Sequence, residues 1–222
     1  MTARYAVYAV PGALPTEAPV ARELRGLAEA WYAARPGITV DARRYGFHAT
    51  LKAPMRLAAG RAFEELDAAV AALAAKREPV LVPGLRLAAM GGFRALLPTG
   101  TPQDAGRLAD AVVRGLEPFR APLSAAEIAR RRPETLSPAQ HDHLLRWGYP
   151  FVFEEFRFHM TLTDPVPAAR AHEVDAALRA HFAPILGRDL PIASLAVLEE
   201  REPGAAFSVR SVHPLGAGES AR

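Results

Sequence analysis

Along the chain, stretches whose apolar residues recur every three or four positions alternate with short runs in which they recur every second one. Pro19 to Ala34 carries Val20, Leu24, Leu27 and Trp31 at helical spacing and stops at Pro36-Gly37, so it reads as an amphipathic helix. Phe63 to Lys76, with Leu66, Val70 and Leu73 on one face, and Asp104 to Leu116, with Leu108 and Val112, read the same way. Pro138 to Trp147 and Ala168 to Phe182 complete the predicted helices. Strands are predicted at Tyr5 to Val10, closed by Pro11-Gly12, and at about Tyr45 to Lys52. Pro79 to Met90 and Phe93 to Leu97 flank Gly91-Gly92 as a hairpin, and Leu190 to Glu199 and Phe207 to Val212 flank Glu202-Pro203-Gly204 as another.

This order repeats. Phe47-His48-Ala49-Thr50-Leu51-Lys52-Ala53-Pro54 returns as Phe158-His159-Met160-Thr161-Leu162-Thr163-Asp164-Pro165, with Phe, His, Thr, Leu and Pro in common. Each copy is followed by a helix and a hairpin at nearly the same pitch, from His48 to Phe93 and from His159 to Phe207. The pattern predicts an α+β fold of two pseudo-symmetric lobes from an internal duplication, each a mainly antiparallel sheet with flanking helices and a cleft between them. The expected division is a first strand and helix over 1–34, a first motif lobe over about 35–100, a helical insertion over 101–150 and a second motif lobe over 151–215. Pro118 to Tyr149 has no counterpart in the first half and includes Arg130-Arg131-Arg132-Pro133. As a charge run it reads first as a solvated face, and second as a reach over the cleft.

Alternate residues of a strand share a face. Strand parity therefore puts His48, Thr50 and Lys52 on one side of the first motif, and Arg157, His159, Thr161 and Thr163 on one side of the second. Each copy presents an imidazole beside a hydroxyl, backed by an apolar face.

Half of the 222 residues are hydrophobic and 23% are charged, the composition of a globular chain with a real core. The formal charge of +3 is far from that of a polycationic nucleic-acid tail and is compatible with an anionic substrate. There is no cysteine, which excludes disulfides, thiolate nucleophiles and cysteine zinc sites. The first residues show neither a signal-peptide pattern nor a long apolar run, so the expectation is a cytoplasmic protein with no membrane span.

Two facing histidines suit phosphodiester cleavage, since a neutral imidazole accepts a proton near neutral pH and an imidazolium donates one. Threonine hydroxyls two residues on suit the non-bridging oxygens, and Lys52 or Arg157 suits developing negative charge. Neither motif carries a second metal ligand on its own face, so no metal and no cofactor are expected. There is no Gly-x-Ser-x-Gly elbow.

The paired His-x-Thr-Leu motifs resemble the signature of the 2H phosphoesterase superfamily. More narrowly, Tyr45 to Lys52, Trp147-Gly148-Tyr149-Pro150 and Phe156 to Thr163 resemble its DUF1045 branch, which is associated with bacterial phosphonate catabolism. The resemblance implies a bilobal enzyme that hydrolyses cyclic phosphates or 2′-5′ phosphodiesters without metal. It assigns His48 and His159 to the acid/base pair, and Thr50 and Thr161 to the phosphate oxygens. It also implies a small cyclic phosphate as substrate, foremost 5-phosphoribosyl 1,2-cyclic phosphate. An RNA end bearing a 2′,3′-cyclic phosphate or a 2′-5′ linkage is the alternative, for which Tyr45, Trp147 and Tyr149 would serve as stacking aromatics. A nucleotide- or RNA-binding module without turnover is the third reading.

Overall fold

The computed structural model describes residues 3–216; Met1 and Thr2, part of the stretch read for targeting, lie outside them. Strand β1 (Arg4–Ala9) is buried from Tyr5 onward, because it has a neighbouring strand on each edge and packing on each face. Val7 and Ala9 join the main core with Leu24, Trp31 and Leu66, whereas Ala6, Tyr8 and Val10 join a smaller cluster with Leu198 and Phe207. The strand period of two thus sends one set of side chains under the helices and the other to the opposite face.

After β1 come helix α1 (Pro19–Ala34), short helix α2 (Val40–Tyr45), strand β2 (Ala49–Met55) and helix α3 (Phe63–Ala75). Strands β3 (Val80–Val82), β4 (Leu85–Met90) and β5 (Phe93–Pro98) precede helix α4 (Gln103–Gly115). The middle of the chain holds helices α5 (Ala125–Arg130) and α6 (Pro138–Trp147). Strand β6 (Met160–Thr161), helix α7 (Ala171–Phe182) and strands β7 (Leu190–Ile192), β8 (Ser194–Glu200) and β9 (Ser208–Pro214) follow. α1 begins with Pro19 in its first turn and buries Val20, Leu24, Ala28 and Trp31, the face that the spacing predicts.

The fold is α+β, with antiparallel sheets and helices packed on them. One sheet runs β2-β1-β8-β9, another β4-β5-β6, and β3 pairs with β7. The sheets do not follow the two halves of the sequence. The hairpin after the first motif (β4-β5) pairs with the second motif strand, and the hairpin after the second motif (β8-β9) joins the sheet of the first. Residues 35–100 and 151–215 therefore each contribute strands to both sheets.

Four predicted strands differ in extent. The strand expected from Tyr45 begins only at Ala49, because Tyr45 ends α2 and Gly46, at φ 71°, turns the chain out of it. Pro83-Gly84 divides Pro79–Met90 into β3 and β4, and Ala193 separates β7 from β8. The second motif strand is paired over Met160–Thr161 only. Beyond that pairing the Leu162 N–H donates to the Arg94 carbonyl at 2.8 Å, and side chains of α1 take the outer carbonyls: the Trp31 indole N–H donates to that of Leu162 at 3.0 Å and the Tyr32 hydroxyl to that of Thr161 at 2.5 Å.

α2 forms because of a distant residue. The Asp164 carboxylate accepts from the backbone N–H groups of Val40, Asp41 and Ala42 at 2.6, 3.0 and 3.2 Å. It satisfies the orphan donors of the first turn and places a negative charge at the helix's positive end. Asp164→Ala is expected to cost about 1–2 kcal/mol, the scale of a lost helix cap, and to speed hydrogen exchange across Val40–Tyr45. Unchanged exchange there would show that the helix stands without its cap.

Candidate active site

His48 and His159 each sit immediately before their motif strand, and each is held in the same way. The Nδ1–H of His48 donates to the Gly46 carbonyl at 2.8 Å, and that of His159 to the Arg157 carbonyl at 2.8 Å. A backbone acceptor two residues upstream fixes the tautomer in both rings and leaves each Nε2 as the nitrogen available for proton transfer. The His48 ring stacks on Tyr8 with centroids 3.8 Å apart and planes 17° apart, and Phe93 flanks His159 at 5.9 Å. The Thr50 hydroxyl donates to His48 Nε2 at 3.2 Å.

Both histidines, Thr50 and Thr161 line one cleft of about 190 Å³. A second recess of about 210 Å³ shares His48, Tyr45 and Thr161 with it and is bounded by Phe93 and Pro165. The four residues central to the motif are thus brought together, as their strand parity requires. Burial pushes the His48 pKa down to about 4, with the Gly46 carbonyl opposing and the charge of His159 adding to the fall. Burial also lowers His159, against its hydrogen bond to the Arg157 carbonyl. Burial therefore favours the neutral form of both rings at pH 7.

Two expectations need correcting. Lys52 does not face the cleft. Its buried ammonium donates to the Val113 carbonyl at 3.1 Å and to Glu117 at 3.0 Å, at the end of α4. The physical reason is a β-bulge. Tyr8 pairs with Thr50 but Val7 with Lys52, so an extra residue enters β2 and its parity reverses. Ala53, not Lys52, resumes the lining after Thr50. Arg157 supplies its carbonyl to His159, while its side chain is exposed and outside the cleft lining.

Local pattern gave no reason to place Arg4 and Tyr8 in the cleft, and Arg131 entered only as the second reading of a charge run; all three line it, with Tyr45 and Tyr149. β1 parity puts Arg4 and Tyr8 on one face, but nothing local says which face meets the histidines. Glu200 is buried and accepts from Arg4 at 2.5 Å, Arg44 at 2.5 Å and the Gly204 N–H at 3.0 Å. Burial alone would raise its pKa, but the hydrogen bonds from the two arginines and from Gly204 outweigh it and keep the carboxylate ionised. The cleft lining contains no carboxylate, and among the described residues no three His, Asp or Glu side chains converge as a metal site would require.

Two His-x-Thr motifs thus face one cleft between antiparallel sheets. A family model described as "Protein of unknown function (DUF1045)" matches residues 50–208, and the chain belongs to that family. The match begins just after His48 and includes Thr50, His159 and Thr161. A ribose 1,5-bisphosphate phosphokinase PhnN of Janthinobacterium sp. (strain Marseille) is 40% identical over 174 residues, 77% of this chain and 38% of that protein. One of Laribacter hongkongensis (strain HLHK9) is 35% identical over 181 residues, 82% of this chain and 42% of that protein. The chain thus spans about two fifths of the curated relatives it matches. Among solved structures, E. coli LigT complexed with NADP+ is similar over 96% of this chain and 98% of that one, with 14% identity and a TM-score of 0.48. TT0787 of Thermus thermophilus is similar over 97% and 99%, with 20% identity and a TM-score of 0.49.

Two measurements check the site's electrostatics. In ¹⁵N-detected NMR, His48 is expected to hold its proton on Nδ1 at pH 7 and to titrate near pH 4. Because the unfolded imidazole titrates near 6.5, the contribution of His48 to stability is full above that pH and is lost as pH falls through about 4. Titration near 6.5 would contradict the packing. Lys52→Met is expected to cost about 1–3 kcal/mol, the scale of disrupting a buried hydrogen-bonded charge, and to leave both histidine titrations where they were. A cleft-facing ammonium would instead move them upward on removal.

Proposed function

We propose that this chain is a metal-independent cyclic phosphodiesterase that opens 5-phosphoribosyl 1,2-cyclic phosphate. The observation that carries the reading is the matched pair of histidines, each clamped through Nδ1 to a backbone carbonyl and each presenting Nε2 to the same cleft. Ring opening requires two proton transfers. One imidazole takes a proton from the attacking water as its oxygen bonds to phosphorus; the other gives a proton to the ribose 2-oxygen as the P–O2 bond breaks. Thr161, and Thr50 once its hydroxyl turns from His48 Nε2, can donate to the non-bridging oxygens. Burial keeps His48 neutral at pH 7 and able to take a proton at Nε2, so it is given the base role; His159 takes the acid role, and the anionic substrate favours its protonated form.

The substrate class is supported by the relatives' description. Breaking the P–O2 bond of 5-phosphoribosyl 1,2-cyclic phosphate leaves ribose 1,5-bisphosphate, the compound named for both curated relatives. A polypeptide that joins this kind of segment to a kinase for that compound would make and consume it in sequence. The phosphokinase itself is named for proteins of which this chain matches about two fifths, and the chain has no Gly-x-x-x-x-Gly-Lys-Ser/Thr phosphate loop. Tyr45 and Tyr149 in the cleft favour, as a second reading, a nucleotide 2′,3′-cyclic phosphate at an RNA end.

Phosphorus NMR in the presence of EDTA distinguishes these. The ribosyl substrate is expected to give ribose 1,5-bisphosphate, and His48→Ala and His159→Ala are each expected to lower kcat by about 10²-fold or more. On bis(p-nitrophenyl) phosphate, whose leaving group needs no proton, His159→Ala is expected to retain activity that His48→Ala loses. Preference for a 2′,3′-cyclic nucleotide would transfer the protein to RNA ends. Loss of activity in EDTA would end the metal-free mechanism, and binding without turnover would leave a ligand-binding module.

A further inference from the structure

The inserted segment between the two motifs has a part in the site that the internal repeat does not account for. Arg56, directly after β2, makes a two-pronged ion pair with Glu127 of α5, at 3.1 and 2.9 Å, and donates to the Pro122 carbonyl at 2.7 Å. That pair, with bonds from Ser124, holds the Glu127 carboxyl down at about 2 despite its partial burial. α5 is therefore fastened to the strand that carries the first motif. Arg131 is the residue that ends it, and the chain reverses at Arg132, in the left-handed region at φ 51°. Behind α6, Gly148 at φ 77° turns the chain into Tyr149; a Cβ there would meet the Arg120 side chain at 2.9 Å. Both turns deliver a side chain to the cleft, and the two meet: the Arg131 guanidinium lies over the Tyr149 ring, 5.0 Å from its centroid.

Arg131 differs from the other arginines around the site. Arg4 and Arg44 share Glu200, Arg56 holds Glu127, Arg94 holds Asp175 and Arg120 holds Glu117. Among the described residues Arg131 pairs with no carboxylate, and its charge reaches the buried Tyr8 and Tyr149 phenols. Glu200 carries one negative charge between two guanidiniums, so the Arg4 side of the cleft also keeps a positive surplus. A cyclic diester brings a single negative charge, and the motif pairs already supply protons and hydroxyls for it. A phosphomonoester adds about 1.5 to 2 more negative charges. The cation–π contact with Tyr149 holds the guanidinium at the cleft while using none of its N–H donors on a carboxylate, which leaves them for a bidentate contact.

We infer that Arg131, presented by the inserted segment and stacked on Tyr149, is a specificity-determining residue that receives a second, non-reacting phosphate of the substrate. The inference rests on the cyclic phosphodiesterase reading and assigns the 5-phosphate its receptor. Arg131 sits at a helix end and is partly exposed, so its substitution leaves the core intact.

The test compares ribosyl 1,2-cyclic phosphate with and without the 5-phosphate, using the wild type, Arg131→Ala and Arg131→Lys. The wild type is expected to favour the phosphorylated form by about 10²-fold, consistent with a charge-assisted bidentate contact. Arg131→Ala is expected to lower kcat/KM for that form by roughly 30- to 100-fold, mainly through KM, and to change the other by less than about threefold. Arg131→Lys is expected to fall between. Equal losses on both substrates, or none on the phosphorylated one, would overturn the assignment. If the wild type hydrolyses neither, the proposed reaction fails, and calorimetry with ribose 5-phosphate decides the subsite separately. Binding weakened about tenfold or more in Arg131→Ala upholds it; equal binding in the two proteins, or none in the wild type, removes it.

Discussion

One carboxylate ties the two motifs to each other. Asp164 belongs to the second motif, yet its oxygens gather the first three N–H groups of α2, the short helix that runs into Gly46 and His48. A helix of six residues has little intrinsic stability and would not form from its own sequence. Its entry is fixed by Asp164 and its exit by Gly46, whose carbonyl then orients the His48 ring. The second motif is held reciprocally, because Trp31 and Tyr32 of α1 take up the carbonyls of Leu162 and Thr161. These bonds stand in for ladder bonds that a two-residue strand cannot make. The separation of the two imidazoles is therefore set by hydrogen bonds running from each half of the chain into the other.

The electrostatics follow from how those rings are packed. An imidazole buried against Tyr8 is expensive to ionise, and its Nδ1 bond to the Gly46 carbonyl offsets only part of that cost. An arriving phosphate changes the balance, since it brings the negative charge that the cleft's own side chains do not provide. The cleft, lined by arginines and without a carboxylate, is in this sense suited to an anion and costly to protonate. Glu200, beneath this region, keeps Arg4 and Arg44 fixed while lying outside the lining itself.

Much of this was legible from spacing. α1 and α6 match their predicted bounds, because Pro19 and Pro138 mark the first turns while Pro36-Gly37 and Gly148 mark the stops. The duplicated motif identified His48, His159, Thr50 and Thr161, since parity over two residues survives any plausible strand. Parity over four does not: a single extra residue in β2 carried Lys52 to the far side and made it a buried ion-pair partner of Glu117. The early start assigned to the first motif strand failed because the cap of α2 lies far along the sequence. Arg131 was ambiguous for a similar reason. A run of three arginines shows charge, but only the Arg56–Glu127 pair determines which of them turns toward the cleft.

The crossing of the two hairpins bears on how the molecule assembles. The duplication in the sequence invites a picture of two modules that arose, fold and move apart separately. With each hairpin completing the other half's sheet, neither half contains a finished sheet of its own, and a fragment ending in the middle of the chain would expose two unpaired edges. Most strand pairing joins residues distant in sequence, which favours slow, all-or-none folding over stepwise docking. Opening the cleft by swinging one half away would require unzipping strands. The segment joining the halves contributes helices and no strand to either sheet, and the Arg56–Glu127 pair fastens it to β2. The molecule's symmetry is thus an interlock at its centre, with the joining segment pinned across one edge of the cleft.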